Sequence, residues 1–342
     1  MKDKQRPQDY GGQAVLEGVM MRSREAMAIA VRRTDGSVRV KHEEVTPISK
    51  KHKWMGWPFI RGSVSMVMMM SLGMKVLTTS ADMAGIDDEE PSKFEKWLAQ
   101  KLGTGVDKIV MGLAVVLAVA LSMGLFVLLP NLPAKAMSDA GWSLLAVNLV
   151  SGLIRIIILM AYLYLTGKIP DMRRIFQYHG AEHKTIYCYE NGLPLTVENA
   201  QKFSTLHPRC GTSFLLITFI FSIIFYSVID VAVLSLTGFN LGQNYLPRIL
   251  TRLLLLPVVA GISYELLKGL AHTETPLTRA LRWPGMQLQR LTPRPPTDKM
   301  CEVAIEALKA VLHGLPEGER TEDGIVVLPG EPDPVQAEPQ PA

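Results

Sequence analysis

The sequence predicts a mainly α, polytopic membrane protein: four transmembrane helices joined to a small N-terminal β-containing cytoplasmic domain. Three observations carry that prediction. Four uninterrupted apolar stretches are each long enough to cross about 30 Å of hydrocarbon at about 1.5 Å per residue. Hydrophobic residues make up 48% of the chain while charged residues still make up 20%, a combination that calls for soluble parts beside the membrane core. Finally, the stretch from Ala26 to Val45 reads as β-structure. A length of 342 residues leaves room for both parts.

The first ten residues, Met1 to Tyr10, are polar and lack the apolar core of a cleaved leader. Residues 11–48 read as β-structure, with a hairpin formed by Ala26 to Arg33 and Ser37 to Val45 around the turn Thr34-Asp35-Gly36. The preceding run Gly11-Gly12-Gln13-Ala14-Val15-Leu16-Glu17-Gly18 is glycine-rich, but neither a Gly-Lys-Ser/Thr ending nor a G-x-G-x-x-G follows, so a phosphate-binding loop is excluded. Residues 60–83 are methionine-rich and interrupted by Gly62, Ser63, Ser65, Ser71 and Gly73. That moderate hydrophobicity favours a helix lying in the membrane interface over a span, although the length permits either. Residues 1–107 thus form one cytoplasmic segment.

The membrane domain is expected over 108–267. Its spans are Ile109 to Leu129, ended by Pro130, then Ser143 to Leu165, Phe214 to Leu236 and Ile249 to Leu267. The connection 130–142 carries Lys135 and 237–248 carries Arg248, whereas 166–213 carries Lys168, Arg173, Arg174, Lys184, Lys202 and Arg209. The positive-inside rule then puts 166–213 and both termini in the cytoplasm. Within the spans, Asp230 and Arg252 fall at matching depth and are expected to pair, while Arg155 has no evident partner. After the spans, 268–313 is a cytoplasmic segment in which Cys301 to His313 forms an amphipathic helix, with Val303, Ala304, Ala307, Leu308, Val311 and Leu312 at helical spacing. Residues 314–342 are rich in Pro, Glu and Asp and read as a disordered tail.

Charge excludes one function class. A net charge of +4, with Lys and Arg spread beside the apolar segments, does not make the basic face of a nucleic-acid binder. The odd set Cys188, Cys210 and Cys301 lacks disulfide-like spacing and points to free thiols or metal ligands in a reducing compartment.

The chemistry-bearing stretch is His179-Gly180-Ala181-Glu182-His183. In a helix over Arg174 to Glu190, ended by Asn191-Gly192, residues His179, Glu182, His183, Ile186 and Glu190 share one stripe. Two neutral imidazoles one turn apart can chelate a divalent cation, with zinc expected in the inverted H-x-x-E-H arrangement, and Glu182 between them can accept a proton from water. Further ligand candidates are Glu190, the pair His207 and Cys210 in His207-Pro208-Arg209-Cys210-Gly211-Thr212, and Glu265. Four ligands would make a closed structural site, and three would leave a position open. The bland alternatives are histidines satisfied by ordinary hydrogen bonds, a tight turn at 207–210 with Cys210 simply packed, and a solvated Glu265.

Gly11 to Arg22, Tyr178-His179-Gly180-Ala181-Glu182-His183-Lys184-Thr185, His207 to Ser213 and Leu256 to Glu265 together resemble the YqhQ-like family, over about residues 10–312. This is a bacterial membrane family of unknown function that commonly carries the label of a metal-dependent enzyme. The resemblance implies a location in the bacterial cytoplasmic (inner) membrane, and it marks Glu17 and Arg22 as contributors to the site. The expected function is a metal-dependent membrane enzyme, a hydrolase, with its site on the cytoplasmic face. The competing reading is a noncatalytic membrane scaffold with a structural metal or hydrogen-bonded histidines, and a transporter stands third. The expected partners are the lipid bilayer and an unidentified substrate, with no nucleic acid.

Overall fold

The computed structural model describes residues 10–46, 53–85, 106–272 and 275–333. The polar start over residues 1–9 and the last nine residues of the expected tail lie outside the described residues. The chain divides into two compact units, one made of 1–87, 163–217 and 260–342 and the other of 88–162 and 218–259. This division gathers into one unit three stretches that are far apart in the chain, so the β-segment, the H-x-x-E-H stretch and the C-terminal segment fold together.

The first unit is built on a sheet. Strands β1 (Gly11–Val15), β2 (Gly18–Arg22), β3 (Ala26–Arg32) and β4 (Val38–Glu44) form a meander. The expected hairpin is its second half, paired from Ala26↔Glu44 to Arg32↔Val38. The first hairpin turns through Leu16-Glu17, where Glu17 takes a positive φ of 51°. Side chains alternate across the sheet. Val19, Met21, Ala28, Ala30, Val38 and Val40 face one way, against Tyr178, Ala181 and Ile186 of one helix and Met300, Val303, Ala304, Ala307 and Leu308 of another. Val15, Met20, Met27, Ile29 and Val31 face the other way, against Val76, Met83 and Ala84. The last three belong to α1 (Ile60–Ala84). The C-terminal half of the methionine-rich helix therefore packs on a sheet, while Met69, Met70 and Met74 stay exposed.

Among the described residues the sheet has six strands in the order β1-β2-β3-β4-β6-β5. The outer two, β5 (Glu319–Arg320) and β6 (Val326–Leu328), correct the expectation of a disordered tail over 314–333. β6 pairs with β4 from Val38↔Leu328 to Val40↔Val326, and Asp333 beyond it is fully buried. Composition misled there because a hydrogen bond and an ion pair to distant arginines, absent from local sequence, fasten the segment. Arg32 donates to the Glu331 carbonyl at 2.7 Å, and Arg174 reaches Asp333 at 3.5 Å.

The second unit holds the bulk of the apolar helices. α2 (Val106–Met123) continues through a π-helical turn at Gly124–Leu128 into α3 (Leu129–Asp139), so Pro130 does not end the helix as expected. The proline is the second residue of α3, inside the continuous helical run. It has no proton to give the Phe126 carbonyl one turn earlier, and Arg155 Nε donates to that oxygen at 3.3 Å. Arg155, the cation without an evident partner, thus closes a backbone gap. It lies on α4 (Leu144–Thr166), followed further along by α7 (Gly211–Thr237) and α8 (Tyr245–His272). The expected pair forms, with Arg252 at 3.6 Å from Asp230, and Arg248 stands at 3.5 Å from the same carboxylate. Asn148 donates to Asp230 at 3.0 Å and accepts from Arg248, completing a buried polar group. Among the described residues five helices, α1 included, are long and apolar enough to cross a membrane. The chain is mainly helical with a small antiparallel sheet, and its helices suit a multi-pass bilayer environment.

Candidate metal centre

Helix α5 (Pro170–Glu190) carries the motif. Proline at its first position presets the helix and Asp171 complements its N-terminal dipole. It starts four residues before the expected Arg174 and stops where expected, with Gly192 at φ +68° beyond the cap. The helix is buried over most of its circumference from Phe176 to Cys188, so even Lys184 is folded in. Its ammonium donates to the Gln201 and Phe203 carbonyls at 2.8 and 2.6 Å, which ties down the chain leading to His207.

Two glycines set how closely α5 can approach its neighbours. A Cβ on Gly180 would stand 2.0 Å from the Arg294 carbonyl oxygen, so the residue between His179 and Glu182 can be nothing larger. A Cβ on Gly12 would stand 3.0 Å from the Glu182 side chain. The Gly12 amide donates to that carboxyl group. The glycine-rich strand excluded as a phosphate loop is therefore the wall against which the motif glutamate rests.

Three of the candidate ligands come together. His179, His183 and Cys210 place one donor atom each within 4.8 Å of one another, with His179 Nε2 at 3.2 Å from Cys210 Sγ. The imidazole centroids of His179 and His183 are 4.5 Å apart. His183 contacts the Thr205 carbonyl through Nδ1, which assigns the proton to Nδ1 and leaves the Nε2 lone pair for a cation. Burial holds the His179 imidazole down to about 4 and pushes the His183 pKa well below its usual value, so both rings are neutral at pH 7, the form that ligates. Burial pushes the Cys210 thiol up to about 11 and Glu182 up to about 8. A divalent cation would reverse that cost for the thiol, because coordination deprotonates it. Two imidazoles and one sulfur form a donor set that suits zinc.

The remaining candidates stand apart from this trio. His207 lies beside His183, ring centroids 5.5 Å apart, but its Nδ1 accepts the Arg209 amide at 3.3 Å and its Nε2 faces Glu190 at 3.5 Å. Glu190 is held by Arg209. Glu265 is held by the guanidinium of Arg61 and does not join the cluster. The tight turn at 207–210 is present, with the Cys210 amide donating to the His207 carbonyl at 3.2 Å, and it is what aims the sulfur.

Gln289 was not legible as part of this site. Fully buried, it accepts the His207 amide at 2.8 Å and donates to the His207 carbonyl at 2.8 Å and to Ser213 Oγ at 2.6 Å, fixing both ends of the turn. Nothing in its neighbourhood in the chain marks it, since its partners lie 76 to 82 residues away. Of the two residues the resemblance marked, Glu17 binds Arg174 of α5 through two oxygens at 2.5 Å and so braces the helix. Arg22 lines a cavity of about 820 Å³ with His179, Glu182, His183 and Cys210, its guanidinium directed at Met69 Sδ, 3.4 Å away.

Residues 57–314 match the family described as "Protein of unknown function (DUF1385)". The chain is 37% identical over 315 residues to "Uncharacterized protein YqhQ" of Bacillus subtilis (strain 168), covering 90% of this chain and 93% of the relative. No solved structure matches the chain with significance. The family match over most of the length and the near end-to-end relative agree with the four motifs quoted above, and the chain belongs to the DUF1385, YqhQ-like family.

Proposed function

We propose that this protein is a metal-dependent membrane hydrolase whose cation, zinc by its donor set, is held by His179, His183 and Cys210. The carrying observation is the convergence of those three donor atoms on the wall of a cavity large enough for a small substrate. Three protein ligands leave a coordination position open, as catalysis requires. Zinc, when bound, supplies Lewis acidity toward water and toward a carbonyl or phosphoryl oxygen. The chain's own residues do the rest. Glu182, in the cavity wall but outside the ligand trio, is kept protonated by burial; with a cation beside it favouring the ionised form, its carboxylate would take the proton from the attacking water and return it to the leaving group. Thr205 orients His183, Gln289 holds the turn that aims Cys210, and Gly12 positions the Glu182 carboxyl. The bond hydrolysed is an amide, ester or phosphoester.

The setting proposed is the bacterial inner membrane with both termini cytoplasmic, as the basic residues of 166–213 indicate. Four helices span and α1 lies at the interface. Its packing on the sheet supports that assignment, since a helix half-covered by a sheet is a poor lipid-spanning element.

Elemental analysis of the purified full-length protein tests the metal claim. About one zinc per chain is expected, with loss in the His179→Ala, His183→Ala variant; equal substoichiometric zinc in both proteins would overturn it. One observation favours the noncatalytic scaffold instead: His179 and His183 also have ordinary partners in Cys210 and the Thr205 carbonyl. Glu182→Gln separates the two readings. The enzyme retains zinc and loses turnover on a panel of amides, esters and phosphoesters, whereas the scaffold loses nothing.

A further inference from the structure

A second cleft, of about 470 Å³, lies at the C-terminal end of α4 and is lined by Gly167, Lys168, Arg173, Gln177, Arg294 and Pro295. Three of these six residues are cations and none is an acid. Among the described residues no carboxylate pairs with Lys168, Arg173 or Arg294. Three arginines elsewhere in this unit behave differently: Arg32, Arg61 and Arg174 each carry a carboxylate partner. The cleft is also built and not merely charged. The Arg294 amide donates to the Phe176 carbonyl at 2.8 Å, Gln177 Nε2 donates to the Pro295 carbonyl at 3.4 Å, and the Gly180 contact brings the Arg294 backbone hard against α5. Lys168 Nζ sits 4.6 Å over the Tyr164 ring, which steadies the cation without neutralising it. Arg294 Nε is buried with no hydrogen-bond partner, a donor that calls for an acceptor inside the cleft.

We propose that this cleft binds a phosphate-bearing anion, the headgroup phosphate of an anionic phospholipid. A forked guanidinium pair with an ammonium is the donor set that phosphate oxygens accept from. The position argues for lipid as the source. Lys168 stands two residues beyond Thr166, the last residue of a helix long and apolar enough to cross the bilayer, where headgroups lie. The inference does not depend on the metal reading, since the cleft shares no lining residue with the histidine cavity.

The test uses full-length protein in neutral detergent, with native mass spectrometry counting retained lipid. Lys168 and Arg173 are exposed, so Lys168→Gln, Arg173→Gln removes charge without opening a core, and Arg294→Gln probes the buried donor separately. Wild-type protein is expected to retain phosphatidylglycerol over phosphatidylcholine and the double variant to lose about tenfold in that preference. Excess inorganic phosphate is expected not to displace the lipid. Displacement by inorganic phosphate, together with loss of phosphate binding in the variant, would assign the site to free phosphate and overturn the lipid source. Equal phosphatidylglycerol retention by wild type and both variants would overturn the site itself.

Discussion

Among the described residues the two units bury charge alike, and the sheet unit adds one cluster that the helical unit lacks. In the helical unit Asp230 and Arg248, each 2% exposed, sit with Arg252 and Asn148, so charge meets counter-charge and the amide bridges carboxylate and guanidinium. In the sheet unit Arg32 and Arg174 are neutralised in the same manner by Glu302 and by Glu17 with Asp333. A few residues further along α5, however, burial holds two bases and an acid neutral with no counter-charge: His179, His183 and Glu182. Paired charge fastens helices together. A cluster kept neutral by burial, with lone pairs converging, is instead the arrangement on which the proposed cation site rests.

The largest expected effect breaks the pairing. Asp230→Ala leaves Arg248 and Arg252 buried without their carboxylate and is expected to cost about 3–5 kcal/mol. Glu17→Ala leaves Arg174 its second partner, Asp333, and is expected to cost less, about 2 kcal/mol. Thermal unfolding of both variants in the same detergent checks the order, and equal losses would show that Asp333 does not back up Arg174.

An intermediate effect contrasts two helical glycines. Gly180→Ala drives a Cβ into the Arg294 carbonyl and should cost about 1–3 kcal/mol, whereas Gly112→Ala meets open space and should be neutral or stabilising by up to about 1 kcal/mol. The sign of the difference in melting temperature is the readout. The smallest effect is a null. Glu265→Ala should leave zinc content unchanged, because Arg61 and not the cluster holds that carboxylate. Loss of zinc on that substitution would mean that the ligand set has been misassigned.

The four long apolar stretches, the β-hairpin and the motif helix were legible because each rests on local periodicity, which needs no knowledge of neighbours. The same holds for the Asp230–Arg252 pair, since depth along a helix is arithmetic on residue number. The misreadings share one cause. Pro130 continues a helix because Arg155 takes over a carbonyl, residues 314–333 are ordered because Arg32 and Arg174 hold them, and Glu265 leaves the ligand list because Arg61 claims it. Each depends on a partner 29 to 299 residues away.

By itself the chain determined which stretches are apolar enough for lipid, which alternate as strands, and that two imidazoles and a carboxylate share one helical face. Tertiary structure alone decided which of the candidate donor atoms meets those imidazoles, that Gly12 and Gly180 let α5 come close to its neighbours, and that Gln289 secures the turn carrying Cys210. The physical reason is range. Hydrophobic periodicity is written residue by residue, whereas ligation and burial of charge depend on donor atoms brought within a few ångströms by packing between segments that local sequence cannot relate.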